Sequence, residues 1–221
     1  MALTHSEART YYDRFGIKQD SQSFYEDAAL EDLIVHADFR IAKNVLEFGS
    51  GTGRLALELL EEYLQPLASY VGLDSSQTMV NIARRRLLPF NKRTNIVLSD
   101  GSIGFPVPDN SIDRVVSTYV FDLLSMSDIG LALHESRRVL SPGGKLCLIT
   151  LTTGKTPFSK TVSFLWSLLF KLHPSIVGGC RPLQMETMLG QCGFETEYRN
   201  TVVSWGISSE ILISRPREKP R

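Results

Sequence analysis

The chain has 221 residues, 43% hydrophobic and 22% charged, enough for one substantial α/β domain and short for two. Its 24 basic and 24 acidic side chains cancel, so no net field draws it towards nucleic acid. The three cysteines, Cys147, Cys180 and Cys192, lack CxxC spacing and leave an odd count, which reads as free thiols in a reducing cytoplasm.

The opening MALTHSEART has no apolar run of the kind a secretory signal needs. Residues 1–40 read as a helical cap with a break near Gly16. From Asn44 onward, strand-like and helix-like runs alternate. Asn44–Phe48 is short, apolar and followed by glycines, hence a buried strand; Thr52–Leu64 is an amphipathic helix ended before Pro66. Tyr70–Leu73 predicts a second strand, Gln77–Leu88 a helix, Asn95–Leu98 a third strand and Ile112–Thr118 a fourth. Asp128–Leu140 predicts a helix and Lys145–Leu151 a fifth strand. This alternation implies a doubly wound, mostly parallel sheet with helices on both faces. After an insert over 152–182 comes a helix near Leu183–Gln191. Phe194–Val203 and Ser208–Ser214 then form a hairpin across Gly206. The rest, 215–221, is polar and proline-broken and reads as a disordered basic tail.

The strongest motif is Val45-Leu46-Glu47-Phe48-Gly49-Ser50-Gly51-Thr52-Gly53, a glycine loop between a strand and a helix. Glycines let the backbone approach a ligand, and the helix start presents unpaired N–H groups. A nicotinamide fingerprint would place its third glycine at 54, where Arg54 stands. Glu47 is a poor neighbour for a pyrophosphate and suits a ligand carrying an ammonium group. Asp74 ends the second strand, where an acid can accept from ribose hydroxyls; the other reading is a helix N-cap, for which Ser75 and Ser76 also qualify. Asp100, with Gly101 and Ser102, ends the third strand: either an adenine-reading carboxylate with backbone N–H groups beside it, or an Asp-Gly turn. Met79 covers an adenine face or fills core.

GluPheGlySerGlyThrGly, GlyLeuAspSerSerGlnThrMet and SerAspGly together resemble the first three motifs of class I S-adenosylmethionine-dependent methyltransferases. The run HisGluSerArgArgValLeuSerProGlyGlyLysLeu is similar to that family's loop before its fifth strand; the resemblance spans about residues 44–151. It implies a seven-stranded sheet whose last strand is antiparallel. It also implies S-adenosylmethionine as cofactor. Gly49, Ser50, Gly51 and Gly53 would then line the methionine end, Glu47 would support the amino group, Asp74 and Ser75 would hold the ribose, and Asp100 would hold the adenine. Thr118 and Tyr119 would face the sulfonium, with Tyr119 either stabilising it through cation–π attraction or simply packing. PheSerLys at 158–160 and GlyPhe at 193–194 resemble the small-molecule branch that includes ubiquinone and menaquinone C-methyltransferases.

The acceptor is sought in the N-terminal cap and the insert. TyrTyrAspArgPhe (11–15) either folds over the cofactor or packs on the domain. Lys160, Ser163, Ser167 and Lys171 make a narrow polar stripe on an otherwise apolar helix carrying Phe164, Trp166 and Phe170. That helix is a lid over an apolar substrate, a deeply packed or dimer-forming element, or a segment docking on a membrane surface. His173 and Arg181 are candidates for general base and anion anchor, as loop residues satisfied locally are the alternative. His134 and Glu135 begin no zinc motif, because Arg138 stands where a second histidine is needed, and no metal is expected. Arg84–Arg86 reads as a solvated helix end. ThrTyrValPheAsp after the fourth strand differs from the acidic-aromatic amide motif of nucleic-acid N-methyltransferases. The expectation is a cytoplasmic methyltransferase acting on a small, apolar or lipid-like acceptor. A cofactor-binding subunit without chemistry and a nicotinamide-dependent oxidoreductase are the alternatives.

Overall fold

The computed structural model describes residues 4–154, 157–172 and 179–217. Helix α1 (His5–Phe15) starts at a capping box, in which the Thr4 side chain accepts from the Glu7 amide and the Glu7 side chain accepts from Thr4. It ends at Gly16, and a 3₁₀ segment (Gly16–Gln22) leads into α2 (Ser23–His36). There follow β1 (Asn44–Phe48), α3 (Arg54–Glu58), β2 (Ser69–Asp74), α4 (Gln77–Arg86), β3 (Thr94–Leu98), β4 (Ile112–Thr118) and α5 (Met126–Val139). The chain continues through β5 (Leu140–Leu151), α6 (Pro157–Leu172), α7 (Met185–Gln191), β6 (Phe194–Ser204) and β7 (Ile207–Pro216).

The seven strands lie in the order β3-β2-β1-β4-β5-β7-β6. β7 runs antiparallel between β5 and β6, and the other pairs are parallel. Helices cover both faces, so successive residues of one strand are buried on opposite sides. Val45 packs with Ala29, Leu33, Leu55 and Val80, whereas Leu46 packs with Ile129, Leu133 and Leu189. The chain leaves β1 towards β2 on one side and leaves its neighbour β4 towards β5 on the other. The crevice at the carboxyl ends of β1 and β4 is therefore the switch point where ligands of such sheets bind.

Several boundaries differ from the sequence reading. The Thr52–Leu64 helix is α only from Arg54 to Glu58 and widens into a π turn over Leu59–Tyr63. β5 starts at Leu140 rather than Lys145, because Leu140 pairs with Ile112 before an irregularity restores register at Arg114 and Lys145. Arg215 and Pro216 belong to β7, opposite Glu195 and Phe194, and the Arg217 amide donates to Gly193. The expected disordered tail thus begins no earlier than 218, and 218–221 lie outside the described residues. Within the N-terminal segment, α2 is part of the body: Ala29, Leu33 and Ala37 share a core with Ile211 and Ile213 of β7.

The segment just after α2 is fastened to the sheet by two cations: Lys145 of β5 donates to the Asp38 carboxylate at 2.7 Å, and Arg114 binds the backbone. Arg114, 3% exposed on β4, donates to the carbonyls of Ala37 (2.5 Å), Asp38 (3.1 Å) and its neighbour Asp113 (2.8 Å). Replacing it with Met fills the volume but removes all three of these donations, leaving the Asp38 carbonyl only its Ile41 amide. Arg114→Met is expected to cost about 2–4 kcal/mol of unfolding free energy in urea titrations. A loss under about 0.5 kcal/mol, the size of an ordinary surface change, would mean the clamp is dispensable.

Candidate active site

A cavity of about 260 Å³ opens at the switch point. Its floor is the loop after β1. Gly51 has φ +50°, and a Cβ there would fall 2.8 Å from the Gln19 side chain. The backbone turns left-handed here, which favours glycine, and the end of the Gln19 side chain packs against the position. Gly53 behaves differently. It also has positive φ, but its missing Cβ makes room for Ala83 of α4, 3.1 Å away, and it does not line the cavity. Its expected place at the methionine end is thus corrected to helix packing.

Two carboxylates flank the loop. Glu47, 2% exposed at the end of β1, accepts a hydrogen bond from the Tyr70 hydroxyl at 2.8 Å. Burial pushes its pKa up to about 8, against the Tyr70 hydrogen bond, with Asp74 adding to the rise. Asp74, half-buried at the end of β2, accepts from the Gly51 amide through one oxygen and the Ser76 amide through the other, both at 2.8 Å. Its pKa is also raised, chiefly by burial. The N-cap of α4 is Ser76, whose Oγ accepts from the Met79 amide, so Asp74 is free of that duty.

Glu47, Gly49, Ser50, Gly51, Asp74, Ser75 and Met79 all line the cavity, as do Gly101, Ser102, Thr118 and Tyr119. Asp100 does not. It is exposed, and its carboxylate accepts from the Ser102 amide (2.8 Å) and hydroxyl (2.6 Å). That is the turn-forming reading, and the backbone of Gly101 and Ser102 is what reaches the wall.

Tyr119 has φ +58°, a strained conformation for an aromatic residue. Its hydroxyl shares a 2.8 Å hydrogen bond with Ser209, and its ring meets Tyr25 edge-on at 5.7 Å between centroids. Burial pushes its phenol pKa far up, so Tyr119 is no proton acceptor. Of the expected lid residues only Trp166 reaches the cavity, its indole N–H donating to the Cys180 carbonyl at 3.0 Å. Phe164 is 67% exposed and Phe170 packs beneath the Arg181 guanidinium. Arg181 donates to the carbonyls of Leu124 (2.5 Å) and Asp122 (3.4 Å) and does not line the cavity, so it pins the end of the insert rather than reading an anion. His173 lies outside the described residues. The three cysteines are unlinked, and burial raises Cys180 far above its usual range and Cys147 to about 12.

Sequence reasoning missed the cap's contribution to the walls: Gln19, Asp20, Tyr25 and Glu26, together with Arg54. Arg86, expected to be solvated, donates to Asp20 (2.6 Å) and Thr52 (2.8 Å), and Thr52 donates to Asp20 (2.6 Å). Glu26 faces the Arg54 guanidinium at 3.3 Å, yet burial still pushes its pKa up to about 7. The only sequence signal for these was TyrTyrAspArgPhe, of which Tyr11 and Tyr12 do line the cavity. Asp13 tethers α1 by accepting from the Ser76 hydroxyl (2.6 Å) and the Thr78 amide (3.2 Å).

Residues 45–144 match the family described as a methyltransferase domain. A demethylmenaquinone methyltransferase of Thermus thermophilus is 28% identical over 190 residues, 79% of this chain and 83% of that one. An uncharacterized methyltransferase of Bacillus mycoides is 35% identical over 152 residues, 68% of each chain. The chain belongs to the class I S-adenosylmethionine-dependent methyltransferases. Solved structures agree on the fold. The cyclase SpnF superposes with a TM-score of 0.72 at 17% identity, over 99% of this chain and 98% of that one. A chain from the complex of the Haloferax volcanii Trm112 methyltransferase activator with a methyltransferase gives 0.77 at 15%, over 97% and 99%.

The site of this methyltransferase suits the cofactor. Among the described residues, Gln19 Oε1 and Ser50 Oγ are buried without a hydrogen-bond partner, and both residues line the cavity around the glycine loop. An amino-acid moiety supplies partners for such atoms, and Glu47 and Asp74 supply negative charge for its cation.

The buried carboxyls set a pH dependence. A group whose folded pKa is raised stabilises the fold fully below its unfolded pKa, and that stability is lost as pH rises through the folded value. For Glu47 the window runs from the ordinary 4.5 to about 8. The ligand-free protein is therefore expected to melt at falling temperature as pH climbs through this window, and Glu47→Gln to flatten the profile. Identical slopes in the two proteins, followed by scanning calorimetry, would show that Glu47 is not protonated in the fold.

Proposed function

We propose that this protein transfers the methyl group of S-adenosylmethionine to a small, apolar, flat acceptor. The observation that carries this is the wall beyond Tyr119. Tyr12, Tyr25, Tyr119 and Trp166 line the same cavity as the cofactor residues, with Leu151 and Cys180 beside them. Aromatic walls of this kind hold a ring by stacking and area burial and offer little to a highly charged acceptor. The demethylmenaquinone named for the Thermus relative is an acceptor of that shape.

Glu47 would hold the cofactor's ammonium, Gly49, Ser50 and Gly51 its amino-acid end, Asp74 and Ser75 its ribose, and Met79, Gly101 and Ser102 its adenine. Each Asp74 oxygen already accepts one amide and retains a lone pair for a ribose hydroxyl. Bound S-adenosylmethionine supplies a methyl group on a positively charged sulfur that departs as a neutral thioether. The chain's own task is alignment, which supplies up to about 7–11 kcal/mol of barrier reduction when reacting atoms are held in line. Thr118 and Tyr119, at the end of β4, face the junction of the two compartments, and the Ser209 hydrogen bond fixes the Tyr119 ring. Glu26, beside Tyr25, would accept a proton from an acceptor that loses one on methylation, and its pKa of about 7 suits a base at neutral pH.

Calorimetric titration with S-adenosylmethionine, S-adenosylhomocysteine and NADH tests the cofactor; binding of the first two without the third is expected. Asp74→Ala should weaken binding at least about 100-fold, losing two or more hydrogen bonds to a buried ligand. Asp100→Ala should change it only a few-fold. The reverse order would return the adenine role to Asp100 and remove Asp74 from the ribose. Trp166→Ala is expected to raise the acceptor KM while leaving cofactor affinity within about twofold. Equal losses in both would place Trp166 outside the acceptor compartment.

A further inference from the structure

Helix α6 leaves much of its apolar surface uncovered. Its inner side spends part of its burial on serines, Ser159 fully buried and Ser163 8% exposed, beside Phe170 and Trp166. Ser163 Oγ accepts from the Gly154 amide at 3.0 Å and reaches the Thr152 carbonyl at 3.5 Å. The outer face carries Phe158, Phe164, Leu165, Leu168, Leu169 and Leu172, each between 41% and 68% exposed. A helix against an aqueous surface ordinarily turns its apolar side inward and its polar side outward.

The apolar surface continues onto two neighbouring elements. Gly206, in the turn between β6 and β7, lies so close to Phe158 that a Cβ there would fall 2.6 Å from its ring. The preceding residue, Trp205, is 79% exposed, and its ring contacts that of Phe24 edge-on at 6.4 Å. Trp205 has φ +55° and Gly206 φ +82°, a two-residue hairpin turn with both central residues left-handed. Asn or Gly is favoured at the first of these positions, so the chain keeps an exposed indole where the backbone opposes it.

Charge indicates what covers this face. The sequence of α6, 157–172, contains Lys160 and Lys171 and no Asp or Glu. Lys160 is exposed at the edge of the apolar face. A second copy of the same face would bring only like charge to these lysines, whereas an anionic bilayer supplies phosphates beside an apolar interior. Indole and phenyl rings suit the headgroup boundary.

We propose that the outer face of α6, with Phe24 and Trp205 beside it, docks the protein in the interfacial plane of an anionic lipid bilayer. Trp166, on the inner side of the same helix, lines the cavity, so docking sets the acceptor compartment one helix thickness from lipid. The proposal stands on the surface alone and does not require the acceptor assigned above.

Full-length protein is sedimented with phosphatidylcholine vesicles, with or without about 30 mol% phosphatidylglycerol, at low and high salt. Preferential pelleting with the anionic vesicles, weakened by salt, is expected. The chain has two tryptophans, so Trp166→Phe leaves Trp205 as a single reporter whose emission should shift to the blue on binding. The exposed-site changes Phe164→Ser with Leu168→Ser, and separately Trp205→Asn, should each lower vesicle partitioning at least about tenfold. S-adenosylmethionine affinity and melting temperature should be unaffected, which separates this test from that of the cofactor site. No binding to either vesicle, unshifted Trp205 emission, or full binding by the variants would overturn the proposal. So would a dimer, seen by light scattering and abolished by the same substitutions, which would assign the face to a second copy.

Discussion

The site is organised around two hydrogen bonds to one carboxylate. Asp74 ends β2 and accepts the Gly51 amide from the loop after β1 and the Ser76 amide from the start of α4, both at 2.8 Å. The parallel pairing of β1 with β2 places these groups together, since Phe48 lies opposite Leu73. The Gly49 and Ser50 amides also donate to the Leu73 carbonyl. The glycine loop therefore holds its shape through backbone bonds before any ligand arrives. A preformed loop of this kind spends little ordering entropy on binding, and the same carboxylate retains lone pairs directed at the crevice.

Electrostatics follow from that arrangement. Glu47, Asp74 and Glu26 are held in low-dielectric surroundings with raised pKa values. Arg54, near Glu26, is also bonded to Asp27 at 2.5 Å, which leaves the crevice net acidic. Ionising these groups is costly without a cation and easier with one. S-adenosylmethionine, with its sulfonium and ammonium groups, is such a cation. The dry aromatic walls around Tyr119 strengthen the same interactions by excluding water.

Much of this was legible in the sequence, for identifiable reasons. β1 and β4 were read to the residue because they are buried runs with abrupt boundaries, glycines after one and a change of composition after the other. Glu47, Gly51 and Asp74 were legible because strand-end position fixes their direction. Asp100 occupies the analogous position, but an Asp-Gly turn folds its carboxylate back onto Ser102. Arg215 and Pro216 looked like tail; they lie past Ser214, where the pairing of β7 with β5 ends, and pair with β6 alone, so polar residues and proline are tolerated there. Gln19, Asp20 and Glu26 had no signal because the tertiary path of the cap, not its local pattern, brings them to the cavity. For α6 the polar stripe was legible and its direction was left open. A polar stripe ordinarily faces water, and here Ser159 and Ser163 face the end of β5.

The cap and the insert close the cavity by different physics. α1 and the 3₁₀ segment are fastened mainly by polar ties, Asp13 to Ser76 and Thr78, and Asp20 to Arg86 and Thr52. Such exposed or half-buried bonds exchange readily for water, so a segment they hold opens at a fraction of the cost of global unfolding. α2, by contrast, is built into the sheet's own core through Leu33 and the Arg114 clamp, and cannot leave without it. Gln19, whose Oε1 is buried without a partner beside Gly51, belongs to the 3₁₀ segment and so to the part of the cap held by these polar ties.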